Sequence, residues 1–180
     1  MIWVAFGHEF WMVFVEHLTP ENENTMNWDN RINDPTRFRV LAAFNNEAVL
    51  DRETGLVWER NPSIQPMAWP NARLFCAQKA VGGRGGWRLP AFFELASLVD
   101  PSVQTAGVLR LPSGHPFMNV QAADYWSDTA FADEPGFVLM VGFHFVAGSD
   151  APIFVTDAHI GGAPKYAWAV RGGSAGLSSY

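Results

Sequence analysis

The chain has 180 residues, of which 48% are hydrophobic and 17% are charged, and its formal net charge is −6 at pH 7. This balance predicts a well-filled globular core and argues against a disordered chain. The negative charge, without any run of Lys or Arg, argues against a protein that binds nucleic acid. The single cysteine, Cys76, excludes a disulfide within these residues. We expect it to be a small buried hydrophobic residue, with a reactive thiol as the alternative.

The N-terminal segment, residues 1–18, is apolar but carries Glu9 and Glu16 and has no basic leading region. It therefore fits neither a membrane span nor a secretory signal well, and its association with a membrane is left open. Its bulky apolar residues recur at helical spacing and predict an amphipathic helix. An alternative is that the residues before Met26 are not native coding sequence. We divide the chain into this segment with a polar linker, residues 1–36, and a domain over residues 37–180.

The domain begins with a pattern typical of β-strands. Residues 38–40 are followed by residues 48–51 and 56–60, and the last two runs flank a turn that ends in Gly55. This arrangement predicts a hairpin. Residues 69–80 then predict a first helix, because Pro70 suits the first helical turn and Cys76 falls on an apolar face.

Residues 82–100 carry the clearest local signal. Four glycines in five positions predict a tight loop, since glycine adopts positive φ without penalty. The next three residues, Trp87 to Leu89, alternate apolar, polar, apolar, as in a half-buried strand. Pro90 is expected to start a second helix over residues 91–99, whose apolar stripe must be buried. Arg88 is expected to pair with Glu94 or Asp100 and to stabilise the fold.

The last part of the chain predicts a long connection and then antiparallel strands. Residues 101–124 have no sustained period, and loops of this length are usually functional or held by their own side chains. Strand-like runs follow, separated by Gly and Pro: residues 125–128, 137–145, 153–156 and 166–171. Two helices between an early hairpin and a later sheet predict an α+β fold, with the helices packed on a twisted antiparallel sheet.

Residues 37–173 resemble a bacterial family named for the C-terminal domain of the Legionella collagen-like protein, most clearly from Trp87 to Asp100 and at Val170 to Gly173. The residues that carry this structural motif are Trp87, Arg88, Leu89, Pro90, Glu94, Asp100, Arg171, Gly172 and Gly173. The resemblance implies a C-type-lectin-like fold in which the first and last strands of the domain pair. It also implies a secreted, periplasmic or cell-surface location. The resemblance further implies that in many relatives a cysteine at the position of Cys76 pairs with one at the position where this chain has Ala169.

The resemblance, together with the absence of known catalytic motifs from the sequence, predicts a non-catalytic binding or adhesion module. We expect it to recognise a glycan or a protein through the loops at residues 101–124 and 129–136. The candidate ligand-binding residues are Trp126, Trp168, His115, Asp128, Asp133 and Glu134. For the two tryptophans, burial in the core is the default and stacking on a sugar is the alternative.

No cofactor or metal is expected. The triplet Glu134-Pro135-Gly136 resembles a calcium-binding triplet of C-type lectins but lacks its amide ligand. The relative's association with glycosaminoglycans does not transfer, because the arginines here are scattered. One alternative is an enzyme of the formylglycine-generator-like branch with a histidine and aspartate cluster, drawn from His115, His144, His159, Asp124, Asp128 and Asp157. Another is a structural or assembly domain, in which residues 1–18 pack against a neighbouring chain in an oligomer.

Overall fold

The computed structural model describes residues 2–6, 9–13, 36–132, 134–145 and 154–172. These form a mixed α+β structure with two short helices and antiparallel sheets, as predicted. The helices are α1 (Trp69–Ala77) and α2 (Phe92–Ala96). The strands are β1 (Ile2–Phe6), β2 (Glu9–Val13), β3 (Phe38–Val40), β4 (Ala48–Asp51), β5 (Val57–Glu59), β6 (Asp124–Ala130), β7 (Phe137–Gly142), β8 (Phe154–His159) and β9 (Val170–Arg171).

The N-terminal segment corrects the predicted amphipathic helix. Strands β1 and β2 form an antiparallel hairpin in which Ile2 lies opposite Val13 and Phe6 opposite Glu9. Both strands are rich in aromatic and β-branched residues, which favour strands, and this preference outweighs the helical spacing. Residues 14–18 of the predicted helix lie outside the described residues. No helix in the described part of the chain is long and apolar enough to cross a membrane.

One sheet contains the predicted hairpin. Its strand order is β3-β4-β5-β9, with antiparallel pairing throughout. The turn between β4 and β5 ends at Gly55, whose φ of +73° suits glycine. The prediction that the first and last strands of the domain pair is wrong. Strand β9 pairs with β5, and β3 lies at the opposite edge, because the hairpin places β4 and β5 between them.

The second domain sheet has the order β6-β7-β8. Strands β6, β7 and β8 overlap the first three predicted runs in the last third of the chain, but β7 ends at Gly142 and β8 continues to His159. Residues 166–169 form only an isolated bridge through Tyr166 before β9 begins in the other sheet. The register of β6 against β7 shifts between Trp126 and Ala130. Helix α2 packs on β6 and β7, and α1 contacts β6. The predicted single sheet is therefore split into two.

Helix α1 ends at Ala77, three residues before the predicted end, and the chain then turns through Val81–Gly83. Gly82 has a φ of +60°, and a Cβ there would lie 2.4 Å from the Phe44 Cα. Glycine is therefore required at this position for both conformation and space.

Helix α2 is shorter than predicted and does not start at Pro90. Its first N–H groups are capped by side chains: the Ala91 N–H donates to Glu94 Oε2 (2.8 Å) and the Phe92 N–H to Thr129 Oγ1 (2.8 Å). Pro90 therefore precedes the cap. The predicted apolar stripe is nevertheless buried or half-buried, including Val99 in the turn that follows the helix.

The core consists of two clusters of buried residues. One contains Trp58 and Trp168, whose ring centroids lie 5.6 Å apart, together with Phe117 and residues of α2. The other contains Trp87 and Trp126 beside α1. The predicted strand at Trp87 to Leu89 is a single bridge to β9, in which Arg88 and Val170 exchange two backbone hydrogen bonds of 2.9 and 3.0 Å.

Candidate functional site

The described residues form a cleft of about 740 Å³. It lies between the end of β5, the loop that follows it, the C-terminal half of α1 and the end of the long connection near residue 118. We call it the main cleft. Its lining residues are Asn46, Glu47, Glu59, Arg60, Asn61, Pro62, Ser63, Ile64, Gln65, Met67, Phe75, Lys79, Ala80, Val81 and Met118.

An ion pair between Glu59 and Lys79 lies in the main cleft. Lys79 also lies 4.0 Å from the centroid of the Phe75 ring and covers that ring. Glu59 is 5% exposed. Desolvation raises the pKa of its carboxyl group above the ordinary value, although Lys79 acts in the opposite direction. Glu59 and Lys79 therefore hold each other in place, and the cation is the more accessible partner.

Arg60 is the second cation in the main cleft, and it is half-buried. Its Nε donates to the Pro116 carbonyl (3.0 Å) and its Nη1 to the Asn46 carbonyl (3.2 Å). Among the residues that the structure describes, no carboxylate lies within ion-pair distance of this guanidinium. The group is thus oriented by carbonyl oxygens, while its charge is not neutralised by an acid.

The rim of the main cleft combines apolar and amide side chains. Ile64 is 59% exposed and Met118 is 48% exposed. The Met118 N–H donates to the Arg60 carbonyl (2.8 Å), and Asn119 Nδ2 donates to Asn61 Oδ1 (2.9 Å). These bonds fasten the end of the long connection to the loop after β5, so the two sides of the rim are fixed relative to each other.

The structure places both candidate tryptophans in the core. Trp126 and Trp168 are fully buried, so neither ring offers a face to a sugar, and the stacking alternative is corrected. Their indole N–H groups donate to backbone carbonyls, Trp126 to Met67 (2.7 Å) and Trp168 to Glu59 (2.8 Å). Both acceptors belong to residues that line the main cleft. The tryptophans therefore support the wall of the cleft from behind.

The other candidate ligand-binding residues are dispersed. His115 stacks on Phe117, with ring centroids 5.9 Å apart, and burial lowers its pKa. Asp128 pairs with Arg73 (2.7 Å) at a second cleft of about 400 Å³, and desolvation raises its pKa. Glu134 is exposed in the turn before β7. Asp133 lies outside the described residues. The structure does not bring the three described residues together.

The histidine and aspartate cluster of the enzyme alternative does not assemble among the described side chains. His144 Nδ1 lies 3.6 Å from Asp124 Oδ1, and Lys165 Nζ lies 3.4 Å from Asp124 Oδ2. His159 instead accepts a hydrogen bond from the Gly161 N–H (3.1 Å). The Asp157 side chain lies outside the described part. In that part, no group of three His, Cys, Asp or Glu residues is placed to hold a metal ion.

The structural motif is held by one arginine. Arg88 binds Glu94 through two hydrogen bonds of 2.7 and 2.6 Å and also donates to the Gly172 carbonyl (2.8 Å). Glu94 raises the pKa of Arg88. Asp100 instead accepts from the Ser102 N–H (2.9 Å), so Glu94 is the partner of Arg88. Of the other motif residues, Gly172 has a φ of +90°, and the Arg171 guanidinium lies 5.8 Å from the centroid of the Phe44 ring. Gly173 is outside the described residues.

The cysteine is buried, as predicted. Burial raises the pKa of the Cys76 thiol to about 12, so the thiolate is disfavoured. Cys76 and Ala169 belong to the same core cluster and are both fully buried. An alanine at residue 169 thus leaves the cysteine as a packing residue.

The main cleft has no clear signature in the sequence. The sequence pattern places Glu59 and Arg60 at the end of a strand and Lys79 in a helix, and each of these patterns is local. Ile64, an isolated apolar residue between two prolines, is the one signal in the sequence that could have pointed to this surface. Nothing in the spacing of the four residues shows that they meet, because tertiary packing brings them together.

The protein is thus an α+β domain with two antiparallel sheets and a wide, partly apolar cleft. Residues 47–171 match the sequence profile described as the Lcl C-terminal domain. The chain belongs to this family. Comparisons with curated proteins and with solved structures gave no match.

Proposed function

We propose that this chain is a non-catalytic binding or adhesion module that works outside the cytoplasm, and that the main cleft is its ligand site. The observation that carries the proposal is the lining of the cleft. Exposed apolar side chains at Ile64 and Met118 lie beside amides and beside Arg60, a cation that has no carboxylate partner among the described residues. Apolar surface with a few converging polar groups is the usual composition of a ligand pocket.

The rigidity of the cleft supports the same role. Its back wall is held by the indole N–H groups of Trp126 and Trp168, and its rim by the bond from the Met118 N–H to the Arg60 carbonyl. A site that is ordered before the ligand arrives loses less conformational entropy on binding. The cost of ordering loops is therefore largely avoided.

The proposed ligand-binding surface includes fewer residues of the two predicted loops than the sequence suggested. Among the described residues, Met118 is the one member of the long connection at residues 101–124 that lines the main cleft, and none of residues 129–132 and 134–136 does. Phe117 and Leu111 of the connection are buried in the core, so much of this connection is fixed by its own side chains. The loop after β5 replaces it as the main ligand-contacting segment in the proposal.

We also propose that the domain has the C-type-lectin-like fold that the family resemblance implies. Its support is the return of β9 to the sheet that contains the first hairpin of the domain. The ligand is a glycan or a protein, and the extracytoplasmic location rests on the same resemblance.

The full chain should be screened on a glycan array and against a peptide display library, and every hit retested with rim variants. Ile64→Arg and Met118→Arg are expected to weaken binding by about tenfold or more, because they place charge where apolar contact is needed. Phe93→Arg is the matched control, since Phe93 is 75% exposed on α2 and does not line the main cleft. Binding that is unaffected by both rim variants would overturn the proposal, and chemical conversion of a bound ligand would favour the enzyme alternative.

A further inference from the structure

Four charged residues line the main cleft, and Arg60 is the cation among them that has no carboxylate partner in the described part of the chain. Glu59 pairs with Lys79, and Glu47 Oε2 accepts from the Gly82 N–H (2.7 Å). Arg60 uses its Nε and one Nη1 hydrogen on the carbonyls of Pro116 and Asn46. The remaining donors of its guanidinium have no partner among the described residues. A guanidinium presents five N–H donors in a planar fork, so a second acceptor can bind without breaking these two bonds.

The charge and geometry of Arg60 select an anion with two oxygens. A carboxylate matches the fork of a guanidinium and makes charge-assisted hydrogen bonds with it. The two carbonyl acceptors orient Arg60 without neutralising it, so a bound carboxylate would meet a preset cation. Half-burial of Arg60 strengthens this attraction relative to a fully solvated pair.

The apolar part of the main cleft favours a peptide over a sugar. One common mode of sugar binding is stacking on an aromatic face, and Lys79 lies over the Phe75 ring at 4.0 Å from its centroid, where a sugar would stack. No other aromatic side chain lines the main cleft in the described part of the chain. Ile64 and Met118 instead expose aliphatic surface on the rim, beside Arg60. Such surface suits the aliphatic side chain of a neighbouring residue in a peptide.

We propose that the main cleft binds an extended peptide segment of another protein, with a carboxylate held by Arg60 and an adjacent aliphatic side chain packed between Ile64 and Met118. This inference rests on the proposed function and specifies its ligand as a protein. The amides of Asn46, Asn61 and Gln65 lie on the same lining and can bond the peptide backbone.

The test uses three small probes and the full chain. N-acetyl-Leu-Glu-amide carries the aliphatic group and the carboxylate, N-acetyl-Leu-Gln-amide lacks the charge, and glucuronate carries a carboxylate on a sugar. Titrations followed by NMR are expected to show saturable shifts of the Arg60 Nε–H for the glutamate peptide. Its affinity should exceed that of the glutamine peptide and of glucuronate by about tenfold.

Two variants sharpen the result. Arg60→Gln should remove the preference for glutamate over glutamine, whereas Arg52→Gln, an exposed arginine outside the main cleft, should retain it. If Arg60→Gln fails to fold, the pair of peptides on the unchanged chain decides alone. Equal binding of the two peptides, or stronger binding of glucuronate, would overturn the inference. A glycan whose binding depends on the rim but not on Arg60 would overturn this inference and leave the proposed function standing.

Discussion

The region around α2 and the region around the main cleft each contain an arginine, and these two arginines differ in their hydrogen-bond partners. Arg88 makes a two-point ion pair with Glu94 and a third bond to the Gly172 carbonyl, so its charge is matched within the domain. Arg60 contacts only carbonyl oxygens and, among the described residues, meets no acid. Both side chains are half-buried. The difference in partners, rather than in burial, distinguishes a group that holds the fold from one that is free to bind.

Near α2, a third arginine is more deeply buried than Arg88 and pairs with a buried acid. Arg37 is 4% exposed and Asp51 is fully buried, and two hydrogen bonds of 3.0 and 2.8 Å join them. Arg37 also donates to the Ser97 carbonyl (2.8 Å) just after α2. This pair links the first sheet to the end of the helix. From Arg37 to Arg88 to Arg60, the guanidinium is progressively less enclosed by charged partners within the domain. We therefore expect the loss of unfolding free energy on removal of the side chain to fall in the same order.

The largest effect is expected for Arg37→Ala. Removing the cation leaves the Asp51 carboxylate buried without its counter-charge, which costs about 3–5 kcal/mol. Urea denaturation measures the loss in the free energy of unfolding. Arg39→Ala is the control, because Arg39 lies two residues further along the chain, in β3, and is exposed, and it should change stability by less than about 0.5 kcal/mol. Similar losses for both variants would show that the buried pair is not the cause.

A smaller effect is expected for Arg88→Ala. The Arg88 and Glu94 side chains are 33% and 20% exposed, so water partly replaces the lost bonds and the cost falls to about 1–2 kcal/mol. Arg88→Lys should recover little of this, because an ammonium cannot bind both carboxylate oxygens in the same fork. Thermal denaturation with Arg52→Ala as control measures the difference. A melting temperature equal to that of the unchanged chain would contradict the structural role.

Arg60→Ala should cost least among the three, about 0.5–1 kcal/mol, because the Pro116 and Asn46 carbonyls lie at an open cleft where water can replace the guanidinium. The same denaturation series measures it. A loss as large as that of Arg88→Ala would mean that Arg60 holds the fold, and the contrast between the two regions would fail.

The region around α2 was largely predictable from the sequence, because its signals are local. The alternation at Trp87 to Leu89, the stripe on α2 and the pairing of Arg88 with a nearby acid all follow from spacings of a few residues. The helix start was wrong by a small margin because Thr129, from a distant strand, supplies a cap that no local pattern shows.

The region around the main cleft was not predictable by the same means. Its charged pair joins residue 59 to residue 79, and Met118 reaches the rim from a connection without any period. The predicted N-terminal helix was wrong for a related reason, because the spacing of apolar residues does not weigh β-propensity against the helical period. Chemistry that depends on distant segments needs the tertiary structure.

The smallest effect, and the one that tests the electrostatics of the main cleft, is the pH dependence contributed by Glu59. Its folded-state pKa is raised above the ordinary value of 4.5, mainly by desolvation. Between the ordinary and the raised value the folded state therefore holds more protons than the unfolded state, so the stability contributed by Glu59 is present at low pH and is lost as pH rises through that interval. The free energy of unfolding should be measured across this range for the unchanged chain and for Glu59→Gln, which cannot ionise. Their difference should decline with rising pH, and Lys79→Met should extend the decline to higher pH because it removes the cation that lowers the pKa. A flat difference would mean that Lys79 fully offsets the burial of the carboxylate, and a difference that grows with pH would mean that it more than compensates; either would contradict the prediction.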